Sequence, residues 1–291
     1  MTVRTAHSRY LLRPSRELNR IFAGCLGRAL ELRPVRLHAV VVMSTHFHLL
    51  LSPEDSQQLA EFMRHLNGNL SKKVGRLHNW SGSMFERRYQ CIPVSDEPAA
   101  QQARLRYLLR HGCKEGLVLS PRDWPGVHSA AALCDGAAIK GTWIDRTEYG
   151  KAIRGGDDVV ENQFGTDYEI HLEALPCWKH LDASVWRKFV REMVEEIERE
   201  TLEEHQRNET VPAGATTVCQ RSPHFRPGHR KKSPAPLFHA ATKAVRVAMR
   251  DAFSAFLTSY RDAAERVKSG EGSVFFPPDC FPSRLPYVSP A

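Results

Sequence analysis

With 291 residues, 42% hydrophobic and 25% charged, the chain has the composition of a soluble globular protein of about two domains, and no run nears the roughly 18 apolar residues a membrane span needs. Its 7 cysteines are odd in number and never form a Cys-x-x-Cys pair, which argues against a disulfide framework and a zinc ribbon. The net charge of +8 is uneven: 19 of the 41 basic and 11 of the 33 acidic residues precede Gly136, so the whole surplus lies there and favours a polyanionic partner, most often nucleic acid.

Met1 to Thr5 carries no secretory apolar stretch, so the cytoplasm is the expected location. Arg9 to Arg13 predicts a short strand stopped by Pro14, and Ser15 then caps a helix with Leu18, Ile21, Phe22, Cys25, Leu26, Ala29 and Leu30 at helical spacing. Val35 to Met43 alternates and is rich in valine, and Ser44-Thr45 turns it into a second strand as a hairpin. That second strand reads His46-Phe47-His48-Leu49-Leu50-Leu51. Side chains alternate along a strand, so His46 and His48 share one face while Phe47, Leu49 and Leu51 line the other. Two imidazoles on one strand face are either a metal-ligand pair or two polar groups on a solvated surface.

Ser52-Pro53-Glu54-Asp55 opens a helix with Leu59, Phe62, Met63, Leu66, Leu70, Val74 and Leu77 as its buried stripe. Met84 to Val94 predicts another strand, and Ser95-Asp96-Glu97 starts a third helix that ends near Gly112. The order strand, helix, strand, strand, helix, strand, helix is the ferredoxin-like split βαβ arrangement, an α+β fold whose antiparallel sheet has one covered face. Phe47, Leu49 and Leu51 suit the covered face. His46 and His48 then look out from the open face, where the third helix can lie. On that helix Tyr107 and His111 are four apart and therefore neighbours, with Leu105, Leu108 and Leu109 as the packing stripe. A tyrosine at a core rim and a histidine near a helix C-terminus each have ordinary structural explanations. Those explanations do not cover the ensemble with two more histidines, and a phenol attacks a phosphodiester usefully only where its proton is removed and the phosphate is polarised and held, which a metal on this face would help to do.

Three segments in this order resemble the single-tyrosine HUH transposases of the insertion-sequence and REP-associated kind. They are Val41 to Leu50 around the His-Phe-His core, Phe85-Glu86-Arg87-Arg88-Tyr89, and Arg106 to Val118; Trp124-Pro125-Gly126 and Ser129 are similar too. The resemblance runs from about Tyr10 to Ala132. It implies a catalytic domain over residues 1–140, with the tyrosine-bearing helix on the open sheet face. It further implies a divalent ion, manganese or magnesium, on His46 and His48, with Tyr107 as the nucleophile. The product that the resemblance implies is a covalent phosphotyrosine link to the 5′ end of cleaved single-stranded DNA. The family usually carries an amide four residues after the tyrosine; His111 stands there, and an imidazole still ligates a metal, with an altered preference. Arg110-His111-Gly112-Cys113-Lys114-Glu115-Gly116 also departs from the usual Asn-Pro-Val-Arg-Ala-Gly type of ending, and a domesticated copy is an alternative.

Lys72, Lys73, Arg87, Arg88, Arg110 and Lys114 are collectively a candidate DNA track, although each alone is better explained as a solvated charge, with Trp80 or Tyr89 for base stacking. Residues 141–291 are expected to form a mainly helical extension. Gly155-Gly156-Asp157-Asp158 reads as linker. Ser184 to Asn208 is expected to be a helix with Val185, Phe189, Met193, Ile197 and Leu202 inward and an acidic outer face. Phe238 to Lys268 is expected to be another, with Val245, Met249, Ala252, Phe253, Phe256 and Tyr260 inward. Between them no acid occurs from Thr210 to Arg250, and the stretch near 210–236 reads as a basic arm in which Arg230, Lys231 and Lys232 would meet DNA backbone. Phe275-Phe276 and Phe281-Pro282 are expected to dock the tail onto the body.

The expected function is a metal-dependent transposase or endonuclease that cleaves and rejoins single-stranded or hairpin DNA, with a homodimer as one arrangement of the site. The rival from another class is a nonenzymatic nucleic-acid-binding module, which requires aromatic side chains on the sheet face where the histidines lie.

Overall fold

The computed structural model describes residues 1–228 and 236–282. The first strand, β1, is Thr2–Arg4, not the expected Arg9–Arg13. The difference is one of burial: Leu11 and Leu12 are both buried, but in a turn where Arg13 N–H donates to Tyr10 O and Leu12 N–H to Ser44 O, so the apolar pair plugs the core without pairing as a strand.

Helix α1, Arg16–Leu32, starts where Ser15 Oγ accepts the Leu18 N–H at 3.1 Å. Strands β2, Arg36–Met43, and β3, His46–Ser52, form the expected hairpin through Ser44 and Thr45, with Met43 opposite His46 and Val41 opposite His48. Helix α2, Ser56–Leu77, begins later than Pro53 because Asp55 is the residue whose carboxylate caps it, accepting from Gln58 N–H at 2.7 Å. The sheet order is β1-β3-β2, all antiparallel. The strand expected over Met84–Val94 is reduced to single bridges: Phe85 to Thr5 and Gln90 to Thr2 lie along the free edge of β1, and Val94 pairs with His239.

Helix α3, Pro98–Leu109, is followed by α4, Ser129–Asp135, and by a two-stranded hairpin of β4, Ile139–Ile144, and β5, Gly165–Ile170, that encloses α5, Arg146–Gly155. The glycines at 155 and 156, expected in a linker, close α5, with Gly156 in the left-handed region at φ 87°. Strand β4 straddles residue 140 and lies directly on α1. A Cβ on Gly24 would come within 2.1 Å of the Thr142 carbonyl oxygen, so the two backbones touch where only glycine fits.

Helices α6, Ala183–Arg207, α7, Ala215–Gln220, and α8, Lys243–Lys268, complete the chain. On α6 the buried residues are Trp186, Val190, Val194, Ile197 and Thr201, one position round from the expected face; Val185, Phe189 and Leu202 are exposed. On α8 only Ala263 and Ala264 are buried, so its apolar stripe is half covered, chiefly by its own neighbours: Phe238 packs on Phe253, and Phe276 on Tyr260. The tail thus docks on α8, with Tyr260 hydroxyl donating to Phe281 O and Phe275 left in solvent. No helix among the described residues is long and apolar enough to cross a membrane.

The three-stranded sheet therefore has two cores. Val40, Val42, Phe47 and Leu49 pack with Leu18, Phe22, Phe62 and Leu66 of α1 and α2. Ala39, Val41 and Met43 pack on the other side with Leu105, Leu108 and Leu109 of α3, Leu133 of α4, and Trp186 and Val190 of α6. The face expected to hold the third helix carries it, with α4 and α6 adding cover that the sequence does not indicate.

Candidate metal and nucleophile site

His46 and His48 lie on the second face, and α3 is laid against it by Leu105, Leu108 and Leu109. This brings His111, at the end of α3, over the strand pair. The ligand atoms of His46, His48 and His111 all lie within 4.8 Å of one another, so the expected metal residues meet in one cluster. His48 is 5% exposed and His111 1%.

Each ring is held through Nδ1. His46 Nδ1 pairs with Thr45 Oγ1 at 2.9 Å, His48 Nδ1 with Thr2 Oγ1 at 2.8 Å, and His111 Nδ1 with the Tyr107 carbonyl at 2.9 Å. The carbonyl can only accept, so His111 carries its proton on Nδ1 and presents the Nε2 lone pair; the two threonine hydroxyls permit the same tautomer at the other rings. His48 Nε2 is buried and without a hydrogen-bond partner, an expensive state for a polar atom unless something else occupies its lone pair. His111 Nε2 takes a hydrogen bond from Lys114 Nζ at 3.2 Å, which a metal would replace.

Burial is the main cause that keeps the three imidazoles neutral. It pushes His46 down to about 3, helped by Arg4 and Lys114, and His111 down to about 2, helped by Lys114 and His46; His48 is also held well below its ordinary value. Neutral imidazoles converging through Nε2, one of them orphaned, fit a divalent metal and place no carboxylate in the set.

Tyr107 sits one helical turn before His111, its ring 4.8 Å from the His111 ring and 6.0 Å from that of His48. It reaches solvent, at 38% exposure, whereas His48 and His111 are buried and His46 is half-buried. The Arg104 guanidinium lies 3.7 Å from the ring centroid and the Lys114 ammonium 3.9 Å, so two cations attend the phenol. Arg104 is absent from the sequence-based candidates. Its signal was its i, i+3 spacing to Tyr107, which any helical charge would share.

The remaining expected contacts are scattered. Lys73 donates to Ile144 O and lies 3.9 Å over the Trp143 ring, and Lys72 is exposed on the same helix; α2 packs on the sheet face away from the histidines. Arg87 and Arg88 are exposed along the β1 edge. Arg110 pairs with Glu204 of α6 at 3.3 Å, beside the tighter Arg106 to Glu200 pair at 2.7 Å, so the acidic face of α6 clasps the back of α3. Trp80 and Tyr89 both pack against the first core, and Trp80 is further attended by Arg9 and His224. Arg230, Lys231 and Lys232 lie outside the described residues.

Residues 13–108 match the family described as Transposase IS200 like. The matched segment contains His46, His48 and Tyr107 and stops three residues short of His111. No curated protein and no solved structure matches the chain.

Proposed function

We propose, from the match of residues 13–108 to the family described as Transposase IS200 like, that the protein cleaves and rejoins single-stranded DNA through a phosphotyrosine made by Tyr107. The observation that carries the reading is the placement of one solvent-reaching phenol, attended by two cations, beside three converging neutral imidazoles. His46, His48 and His111 would hold a divalent ion, manganese or magnesium. When bound, such an ion supplies Lewis-acid polarisation of a phosphodiester oxygen next to the tyrosine.

The chain's own residues account for the remainder. Tyr107 gives up its hydroxyl proton and its oxygen forms the new bond to phosphorus, while the bond from phosphorus to the 3′-oxygen of the preceding nucleotide breaks; that oxygen leaves and takes a proton. One phosphodiester is exchanged for another, so no nucleotide cofactor is needed. Arg104 and Lys114 offset the negative charge that gathers on the phosphate and the phenolic oxygen. Arg106 and Arg110, held by α6, keep α3 seated so that Tyr107 and His111 face the strand pair together.

All four site residues come from one chain, so the reading requires no second copy. Chemistry is assigned to residues 1–140, and grip on the DNA to the extension over 141–291, including the basic arm near 210–236. The nonenzymatic alternative is disfavoured because the sheet face under α3 carries a half-buried and a buried histidine and no exposed aromatic platform among the described residues. The test is incubation of the full chain with manganese and a labelled hairpin oligonucleotide with single-stranded flanks. A denaturation-resistant protein–DNA adduct, mapped by mass spectrometry to the peptide of Tyr107, is expected. A cleaved strand with free 5′ phosphate and no adduct would replace Tyr107 with water as the nucleophile.

A further inference from the structure

A groove of about 740 Å³ opens beside Tyr107, outside the histidine cluster, between α3 and the segment that leads into α8. This is the size of a site for one small organic ligand. Ala99 and Ala103 form a floor of small side chains on the α3 side, in line with Tyr107 at four-residue spacing. Leu237 and Phe238 stand on the opposite side. Arg246 and Arg250, one turn apart near the start of α8, join Arg104 in lining the groove, and no acidic side chain lines it among the described residues.

The groove exists without a ligand because its wall is tied to α3. The Glu97 carboxylate accepts from the backbone N–H groups of Ala241 at 2.8 Å and Thr242 at 3.1 Å, and from the Ser95 hydroxyl at 2.7 Å. His239 adds two backbone bonds, its N–H to Pro93 O and its O from Ser95 N–H, each within 2.9 Å. The Glu97 carboxylate is thus engaged in building the wall, and the groove lining itself is cationic. Leu237, Phe238, Arg246 and Arg250 all lie beyond the segment matched to the transposase family.

We propose that this groove receives the nucleotide that adjoins the bond attacked by Tyr107, its base against Leu237, Phe238 and the alanine floor, and its outer phosphate on Arg246 and Arg250. The chemistry is that of an aromatic-and-guanidinium nucleotide site. A flat base gains from an apolar wall, and a planar guanidinium pair grips phosphate oxygens in a fixed geometry. Arg104 stands at the junction, against the Tyr107 ring and in the groove at once, so a strand lying there is led to the phenol. The extension thereby reads one base next to the cut.

The proposal deepens the reading of Tyr107 as nucleophile and rests on it, so its test avoids turnover. The full chain carrying Tyr107→Phe is titrated calorimetrically, without metal, with the four deoxynucleoside 3′,5′-bisphosphates and with the abasic deoxyribose bisphosphate. At least one base-bearing bisphosphate should bind about tenfold more tightly than the abasic one, the scale of one stacked base. Arg246→Ala with Arg250→Ala should weaken it by about tenfold or more, as expected for lost charge-assisted bonds. Both arginines are exposed, so an unchanged melting temperature is expected for the double variant. Equal affinity for the abasic compound, indifference to the arginine substitutions, or no binding up to millimolar concentration would overturn the groove as a nucleotide site. A chain that binds through these arginines yet never forms an adduct keeps the site and loses the catalytic reading; an adduct with no dependence on the groove does the reverse.

Discussion

Phe47 and His48 are consecutive on β3, both within 5% of full burial, yet they face opposite cores. Phe47 packs edge-on against Phe22 at 5.2 Å in an apolar layer between the sheet and α1 and α2. His48 enters an equally dry layer under α3 with one nitrogen unpartnered. An apolar side chain of similar volume would fill the second position at lower cost, since a buried polar atom without a partner is destabilising. The same strand thus carries stability on one side and the proposed chemistry on the other, and substitutions should separate the two.

The largest effect is expected at the phenol. Tyr107→Phe should abolish the covalent adduct while DNA retention in a gel-shift measurement stays nearly unchanged, because only one hydroxyl is lost. A persistent adduct would remove Tyr107 from the reaction. His48→Leu extends the contrast: adduct formation should cease, yet thermal stability of the metal-free chain should rise by about 1 kcal/mol as the orphaned nitrogen disappears. Phe47→Ala should do the opposite, costing about 3–5 kcal/mol of stability as a large buried ring is deleted. At a temperature where that variant remains folded, its metal affinity should match the parent's. If His48→Leu destabilises as strongly as Phe47→Ala, the second core is ordinary packing and the comparison fails.

The parts of this division visible in the sequence were those set by local periodicity. Alternation on β3 placed His46 and His48 together, and four-residue spacing on α3 placed Tyr107 with His111; both follow from backbone geometry alone. What depended on packing between distant segments was hidden. Leu11 and Leu12 look like strand and are a core plug, while the real β1 at Thr2–Arg4 is too short to show a pattern. Helix α6 has apolar residues on adjoining faces, and the choice of the Trp186, Val190 and Val194 side was made by α3 and α4. The basic side chains were least legible. Lys73 on a carbonyl and Trp143, Arg110 on Glu204, and Arg104 on Tyr107 are all cations on polar helix faces, and only the tertiary arrangement distinguishes their roles. Gly24 carried a usable signal, a glycine inside an apolar helical stripe, which marks the close approach of β4.

A smaller change should sharpen the metal side of the comparison. Three imidazoles without a carboxylate favour a first-row transition ion over magnesium, which prefers oxygen ligands. Adduct formation should therefore be stronger with manganese, and His111→Gln should move the preference back toward magnesium without ending activity. Metal titrations of cleavage by the two proteins measure this. Coincident profiles would place His111 outside the coordination sphere, leaving it a packing residue bonded to the Tyr107 carbonyl.

The smallest effect concerns a fourth histidine on the same side of the sheet. His128 caps α4, its Nδ1 accepting the Ala130 N–H at 3.1 Å, and burial lowers its titration to about 4. The ordinary value is 6.5, so between pH 6.5 and about 4 the unfolded chain binds a proton at this residue that the folded chain refuses. Stability from this group is present above pH 6.5 and is lost as the pH falls toward 4, because the unfolded chain takes up a proton there that the buried capping imidazole does not. His128→Asn supplies a capping oxygen that does not titrate. The buried imidazoles of the cluster titrate low as well and keep most of the acid sensitivity in both proteins. The readout is therefore the difference in melting temperature across that window, which should narrow as the pH falls from 6.5 to 4 if the parent starts higher, or widen in favour of the asparagine if they start level. A difference that stays constant with pH would show that His128 contributes its cap without its proton mattering, and that acid sensitivity on this side of the sheet belongs to the three clustered histidines.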